Sequence, residues 1–218
     1  MKYKAVLFDL DGTLLNTIED LTDSMNAALA KMGLPGRSVE ECKQLVGDGL
    51  GTFVRRALPP DVCDSPEAIA KLKDLMRAEY NLRKAVKTRP YEGIYELLDA
   101  LNRRGIPMAV LSNKPHDSTL AVMKQYFPRW EFRAIFGARD GIQVKPDPSG
   151  ALEIARVLGL KPDEIAFVGD TNTDMQTANA AGMFAVGALW GFRTAEELRA
   201  NGAKVLIEKP LDLLRILT

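Results

Sequence analysis

Two hydrophobic periodicities divide this chain. Lys4-Ala5-Val6-Leu7-Phe8 is a short apolar run of the kind that forms a buried strand, and it stops at Asp9-Leu10-Asp11-Gly12-Thr13. Beyond it the spacing becomes helical. Ile18, Leu21, Met25, Ala28 and Leu29 predict a helix from Ile18 to Lys31, ended by Gly33-Leu34-Pro35-Gly36. Ser38 and Glu41 form a capping-box pattern that starts a second helix, running to about Val46. Gly47-Asp48-Gly49 interrupts, a third helix covers about Leu50 to Ala57, and a fourth runs from Pro66 to about Arg83. Between Asn16 and Val86 nothing reads convincingly as a strand.

From Pro90 onward the two periods alternate. Helices are predicted at Ile94–Arg104, Asp117–Tyr126, Pro148–Leu158, Thr173–Ala181 and Thr194–Ala200. Strands are predicted at Pro107–Leu111, Ala134–Phe136, Ile165–Val168, Phe184–Val186 and Val205–Ile207. Such alternation predicts an α/β fold, a parallel sheet with helices on both faces. The chain then divides into core segments 1–15 and 87–218 around a helical block at 16–86.

Composition excludes several classes of function. With 29 Lys+Arg against 29 Asp+Glu among 218 residues, there is no basic excess to favour nucleic acid or an anionic membrane. No apolar run is long enough to span a bilayer. Met1-Lys2-Tyr3-Lys4 leads straight into the first strand without the pattern of a signal peptide. Cys42 and Cys63 have no partner at metal-ligand spacing and read as free thiols. A cytoplasmic location is expected.

Polar groups gather where apolar strands stop. The first strand ends in Asp9 and Asp11. The second predicted core strand ends in Ser112-Asn113-Lys114, and the Phe167-Val168 strand ends in Gly169-Asp170-Thr171-Asn172-Thr173-Asp174. Lys145-Pro146 precedes a helix. Taken singly, Ser112, Asn113, Asp170 or Asp174 reads equally well as a helix cap, and Lys145 as a solvated lysine. Together, parallel strands bring them to one edge, where ligands of such sheets bind. Four carboxylates beside one lysine call for a divalent cation, and oxygen-only ligands point to Mg²⁺. A cation, a lysine and hydroxyl and amide donors suit a phosphoryl dianion. Of two carboxylates one residue apart, one can attack phosphorus while the other moves the proton.

In order and spacing, Asp9-Leu10-Asp11-Gly12-Thr13, Ser112-Asn113, Lys145-Pro146 and Gly169-Asp170…Asp174 resemble the four motifs of the haloacid dehalogenase-like hydrolase superfamily. The resemblance spans essentially the whole chain. It implies a Rossmann-like core with an inserted α-helical cap, here the block 16–86. It makes Asp9 the nucleophile and Asp11 the acid/base, and it gives Ser112 and Asn113 the transferring phosphoryl group. Lys145 neutralises charge. Mg²⁺ is expected on Asp9, the Asp11 backbone carbonyl and Asp170, with Asp174 in support. Members acting on carbon lack the second aspartate, so Asp11 implies phosphate-ester chemistry.

The segment Leu45-Val46-Gly47-Asp48-Gly49-Leu50 with Arg55-Arg56 is similar to the cap of phosphoglycolate phosphatases, which points to a small phosphorylated metabolite, 2-phosphoglycolate first. Candidate substrate contacts are Thr13, Gly47, Gly49, Arg55 and Lys114. Gly47 and Gly49 would expose backbone N–H groups, and Arg55 would pair with a carboxylate. Equally, the glycines break a helix and the arginines are solvated. His116 reads as a surface histidine, and Trp130 and Trp190 as structural. The rival readings are a phosphomutase or pyrophosphatase of the same superfamily and, remotely, a receiver-like module phosphorylated on Asp9. A monomer or homodimer is expected, with Leu14-Leu15-Asn16 and Val86 to Pro90 as hinges of a closing cap.

Overall fold

The computed structural model describes residues 3–217; Met1, Lys2 and Thr218, which the sequence reading assigns to the two ends of the core, lie outside them. Among the described residues the main sheet has six strands, all parallel, in the order β5-β4-β1-β6-β7-β8. They are β1 (Ala5–Phe8), β4 (Met108–Pro115), β5 (Ala134–Ala138), β6 (Ile165–Gly169), β7 (Phe184–Ala188) and β8 (Val205–Ile207). The central strand is β1, flanked by β4 and β6.

The period of two along β1 sets the two layers. Val6 and Phe8 enter one apolar cluster with Val110 and Val168, covered by α5 (Ile94–Arg103), α6 (His116–Tyr126) and α10 (Leu213–Ile216). Ala5 and Leu7 point the other way, into a cluster with Phe167 and Ala185 beneath α7 (Ser149–Leu158), α8 (Asn172–Ala181) and α9 (Ala195–Ala200). Both faces of the sheet are buried, which is why its strands read as continuous apolar runs.

Four helices follow β1: α1 (Ile18–Ala30), α2 (Val39–Leu45), α3 (Leu50–Ala57) and α4 (Pro66–Arg83). They share a separate apolar cluster built on Met25, Leu29, Phe53, Leu72 and Met76. The Ser38–Glu41 capping box forms at the start of α2. The expected absence of strand structure here is not quite met. Leu15–Asn16 (β2) pairs antiparallel with Arg89–Pro90 (β3), so the two expected hinge segments lie side by side as a ribbon. The Asp20 carboxylate, buried at the first turn of α1, accepts from the Lys87 and Thr88 N–H groups and from the Thr88 hydroxyl. These polar groups fasten the returning linker to the first helix. No described helix is long and apolar enough to cross a membrane.

Several elements run further than their apolar cores. The strand predicted at Pro107–Leu111 continues to Pro115, carrying Ser112-Asn113-Lys114 inside the sheet. Its pairing with β5 runs to Leu111 and resumes only at Pro115, so the polar residues 112–114 sit at a break in the register.

Leu7→Ala should remove about 2–5 kcal/mol from the stability of the core, since Leu7 is fully buried in the central strand. Val157→Ala, on the exposed side of α7, should stay within about 0.5 kcal/mol of wild type. Urea unfolding followed by circular dichroism measures both; equal effects would contradict the layer assignment.

Candidate active site

The carboxyl ends of β1, β4 and β6 converge on one buried charge cluster. Asp9, directly after β1, Asp170, directly after β6, and Asp174, in the first turn of α8, each offer a carboxylate oxygen, and these atoms lie within 4.8 Å of one another. Lys145 Nζ lies 2.6 Å from Asp9 Oδ1 and 2.6 Å from Asp174 Oδ1. All four side chains are buried. Against three carboxylates there is thus one ammonium, and electroneutrality requires protons or a cation.

The acid–base behaviour follows. Burial, then repulsion from Asp174, raises the Asp9 carboxyl well above its usual range despite Lys145. The same two causes push Asp170 up to about 7, against hydrogen bonds from the Phe192 N–H and the Thr13 hydroxyl. Burial would release the Lys145 proton, but the facing Asp174 and Asp9 carboxylates outweigh it, so Lys145 stays charged. An all-oxygen, strongly anionic donor set fits a hard divalent cation.

Asp170 is gripped from two sides. Thr13 Oγ1 donates to Oδ1 at 2.8 Å and the Phe192 N–H donates to Oδ2 at 2.8 Å. The backbone closes tightly around it. A Cβ on Gly12, where φ is +97°, or on Gly191 would come within 2.2 Å of Asp170 atoms. Asp174 has two roles at once. Oδ2 accepts from the Thr171 N–H at 3.0 Å and from the Thr171 hydroxyl at 2.8 Å, tying it to the start of α8, while Oδ1 takes Lys145. The helix-cap and the charge-cluster readings are therefore not alternatives.

Asp11 stands apart from the carboxylate group. Lys114 Nζ sits 2.9 Å and 3.0 Å from its two oxygens, and Lys114 lies under the Tyr80 ring, 4.5 Å from its centroid. Burial opposes the charge on Lys114, but Asp11 and Tyr80 together outweigh it and hold the ammonium protonated. Ser112 Oγ accepts from the Lys114 N–H at 3.2 Å, which leaves its own hydrogen to donate.

Three expected substrate contacts are placed differently. The Asn113 carboxamide accepts from the Lys145 N–H at 2.8 Å and donates to the Lys145 and Gly47 carbonyls at 2.9 and 3.0 Å. Both amide hydrogens hold the lysine loop and the α2–α3 turn, while Asn113 still lines the cavity beside Ser112. Thr13 is fully buried and serves Asp170 rather than the cavity. Arg55 does not line the cavity; it is exposed and paired with Asp64 at 2.6 Å, because α3 turns it outward. Arg56 pairs with Asp48.

Asp9, Asp11, Ser112, Lys114 and Lys145 line a cavity of about 100 Å³ between the sheet edge and the four-helix layer. Gly47 and Gly49 line it as well, with φ of +121° and +87°. Its roof comes from residues that sequence reasoning passed over. Met76, Arg77, Tyr80 and Asn81 present one face of α4, and Phe192 reaches in from the core. The spacing 76, 77, 80, 81 is a legible helix face. Trp190-Gly191-Phe192-Arg193 follows β7 and belongs to the same sheet edge; extending the strand-end reading to that strand finds it. Of the remaining expectations, His116 Nδ1 accepts from the Gly137 N–H and Trp130 Nε1 donates to Asp99. Cys42 and Cys63 are free.

A family model described as haloacid dehalogenase-like hydrolase matches residues 6–188. The chain belongs to this family. Within it, the chain is 32% identical over 215 residues to phosphoglycolate phosphatase 1 of Pseudomonas aeruginosa, covering 97% of this chain and 78% of that protein. It is also 32% identical over 218 residues to the N-acetylmuramic acid 6-phosphate phosphatase of the same organism, covering 100% and 96%. A crystal structure from Lactobacillus delbrueckii, whose phosphoglycolate phosphatase assignment is itself provisional, superposes with a TM-score of 0.92 at 30% identity, over 100% of this chain and 99% of that one.

A pH dependence follows from the charge cluster. Between the usual carboxylate range and about 7, the folded protein retains an Asp170 proton that the unfolded chain has released. Without a divalent cation, this group's contribution to stability is full below about pH 4 and is lost as pH rises through 7. The rise in Tm on adding Mg²⁺ should therefore be larger at pH 8 than at pH 5, by scanning calorimetry. An equal or reversed difference would refute the cluster as the cation site.

Proposed function

We propose that this phosphoric monoester hydrolase acts on 2-phosphoglycolate, through a phosphoryl group carried on Asp9 and with Mg²⁺ held by Asp9, Asp170 and the Asp11 backbone carbonyl, Asp174 supporting. The observation that carries the chemistry is the buried Asp9–Lys145–Asp174–Asp170 cluster opening into a small cavity that also holds Asp11 and Ser112.

In this reading an Asp9 oxygen attacks phosphorus, and the bond from phosphorus to the ester oxygen breaks. Asp11 gives that leaving oxygen a proton. Water then attacks the same phosphorus, Asp11 takes its proton, and the Asp9–phosphorus bond breaks to release inorganic phosphate. Lys145 stays charged throughout and screens the carboxylate from its anionic substrate. The Ser112 hydroxyl donates to a phosphoryl oxygen. When bound, Mg²⁺ would offset the remaining negative charge of nucleophile and substrate. Helices α1 to α4, residues 16–86, form a cap that moves on the β2–β3 ribbon and excludes water from the acyl phosphate.

The substrate assignment rests on relatives, on the size of the cavity and on Arg77. Arg77 lines the cavity and has no ion pair among the described residues. It supplies the carboxylate partner that Arg55 does not. A second reading is supported by the relative named for N-acetylmuramic acid 6-phosphate, since the two align over 100% of this chain and 96% of that protein. The cavity of about 100 Å³ favours the smaller ester. A cytoplasmic location and a monomer or homodimer complete the proposal; two free thiols agree with a reducing compartment.

A panel of phosphate esters ranked by kcat/KM tests the assignment, and preference for N-acetylmuramic acid 6-phosphate would overturn the 2-phosphoglycolate reading. Asp9→Asn should lower kcat by about 10³-fold or more. Substantial Mg²⁺-dependent turnover by that variant would remove the nucleophile from Asp9. Arg77→Ala should raise KM for 2-phosphoglycolate about tenfold and leave ethyl phosphate, which lacks the carboxylate, unchanged.

A further inference from the structure

One short segment touches three parts of the molecule. Trp190 Nε1 donates to the Thr13 carbonyl at 2.9 Å, on the loop that carries the first motif. The Phe192 N–H donates to Asp170 Oδ2 at 2.8 Å, while its ring is buried in the apolar cluster of the four-helix layer. Arg193 is buried, and its guanidinium donates to the carbonyls of Lys43, Gln44 and Val46, at the last turn of α2. It is steadied by Glu197, 3.2 Å from Nε. These carbonyls have no partner within the helix, and a buried cation is well suited to them. Gly191 lets the segment pass against Asp170.

We propose that Arg193 is a positioning residue that ties docking of the helical layer to the geometry of the cation site. With the guanidinium on the last turn of α2, the segment 190–193 is pinned at both ends, and the Phe192 N–H is held against Asp170. When α2 leaves, Arg193 loses its carbonyl acceptors and gains access to water, so it and the segment are free to shift together. Asp170 then loses one of its two orienting donors. Donors of this kind affect cation affinity even though they never touch the ion. Coupling between two equilibria is reciprocal. A cation on Asp170 therefore strengthens docking of α2 by the same factor by which docking strengthens cation binding. Asn113, which spans Lys145 and Gly47, and Thr173, which donates to Asp48 at 2.8 Å, fasten the same stretch of the layer but do not reach Asp170.

The inference rests on the reading of Asp170 as a cation ligand, and the test separates the two. Calorimetric titration with Mg²⁺ alone should show wild-type binding, weakened about tenfold in Arg193→Gln. Arg193→Lys, which keeps the charge but cannot fork across the carbonyls, should fall between them. Hydrogen exchange on the wild type should show that Mg²⁺ slows the amides of residues 43–50, and this slowing should vanish in Arg193→Gln. The wild-type exchange measurement decides even where a variant fails to fold. Absence of Mg²⁺ binding by the wild type overturns the cation reading and the inference with it. Normal binding with no change at residues 43–50, or unchanged affinity in Arg193→Gln, overturns the inference alone.

Discussion

Three carboxylates share a largely buried space with one lysine, and much of the structure is arranged around that fact. Asp9, Asp170 and Asp174 converge within 4.8 Å, with Lys145 bridging two of them. Isolated, such a group would drive its members to protonate or the chain to open. Here the repulsion is contained by parallel strands whose burial on both faces leaves them no alternative direction, and by backbone drawn in so closely that Gly12 and Gly191 cannot carry a side chain. The same repulsion is the source of affinity for a divalent cation and for a phosphoryl dianion neutralised with it.

Around the cluster, polar groups that look catalytic in isolation turn out to hold other groups in place. Thr13 orients Asp170, Asn113 clasps the backbone of Lys145, and Thr171 ties Asp174 to α8. A charge cluster of this density tolerates little displacement, since a shift of an ångström at any carboxylate changes every pair in it. The four-helix layer contributes in a different way. Its apolar cluster closes over the cavity, and its contact with the sheet edge passes through Asn113, Thr173 and Arg193.

Where reading from sequence worked, a residue's role depended on its own strand or helix. The apolar runs of β1, β4 and β6, the helical spacing of α1 to α4 and the capping box at Ser38 are local, and each formed close to its expected bounds except β4, which runs on to Pro115. Strand-end polar residues could be collected because parallel strands put their ends on one edge. It failed where direction mattered. Arg55 and Arg77 are both cations of the helical layer, yet α3 turns Arg55 to Asp64 while α4 brings Arg77 to the cavity. Asn113 has the right type for a phosphoryl contact, but partners 32 and 66 residues away take its amide hydrogens. No local pattern contains those partners.

The amino-acid sequence by itself determined the α/β architecture, the helical layer after the first strand and the identity of the acidic cluster, because periodicity and motif order are properties of neighbouring residues. Only the tertiary structure decided that Asp11 pairs with Lys114 instead of joining the three carboxylates, that Leu15–Asn16 and Arg89–Pro90 form a ribbon, and that Trp190–Arg193 links Asp170 to α2. Each of those is a contact between segments far apart in the chain. Their pairing is set by how the layers pack, and packing is a property of the whole fold.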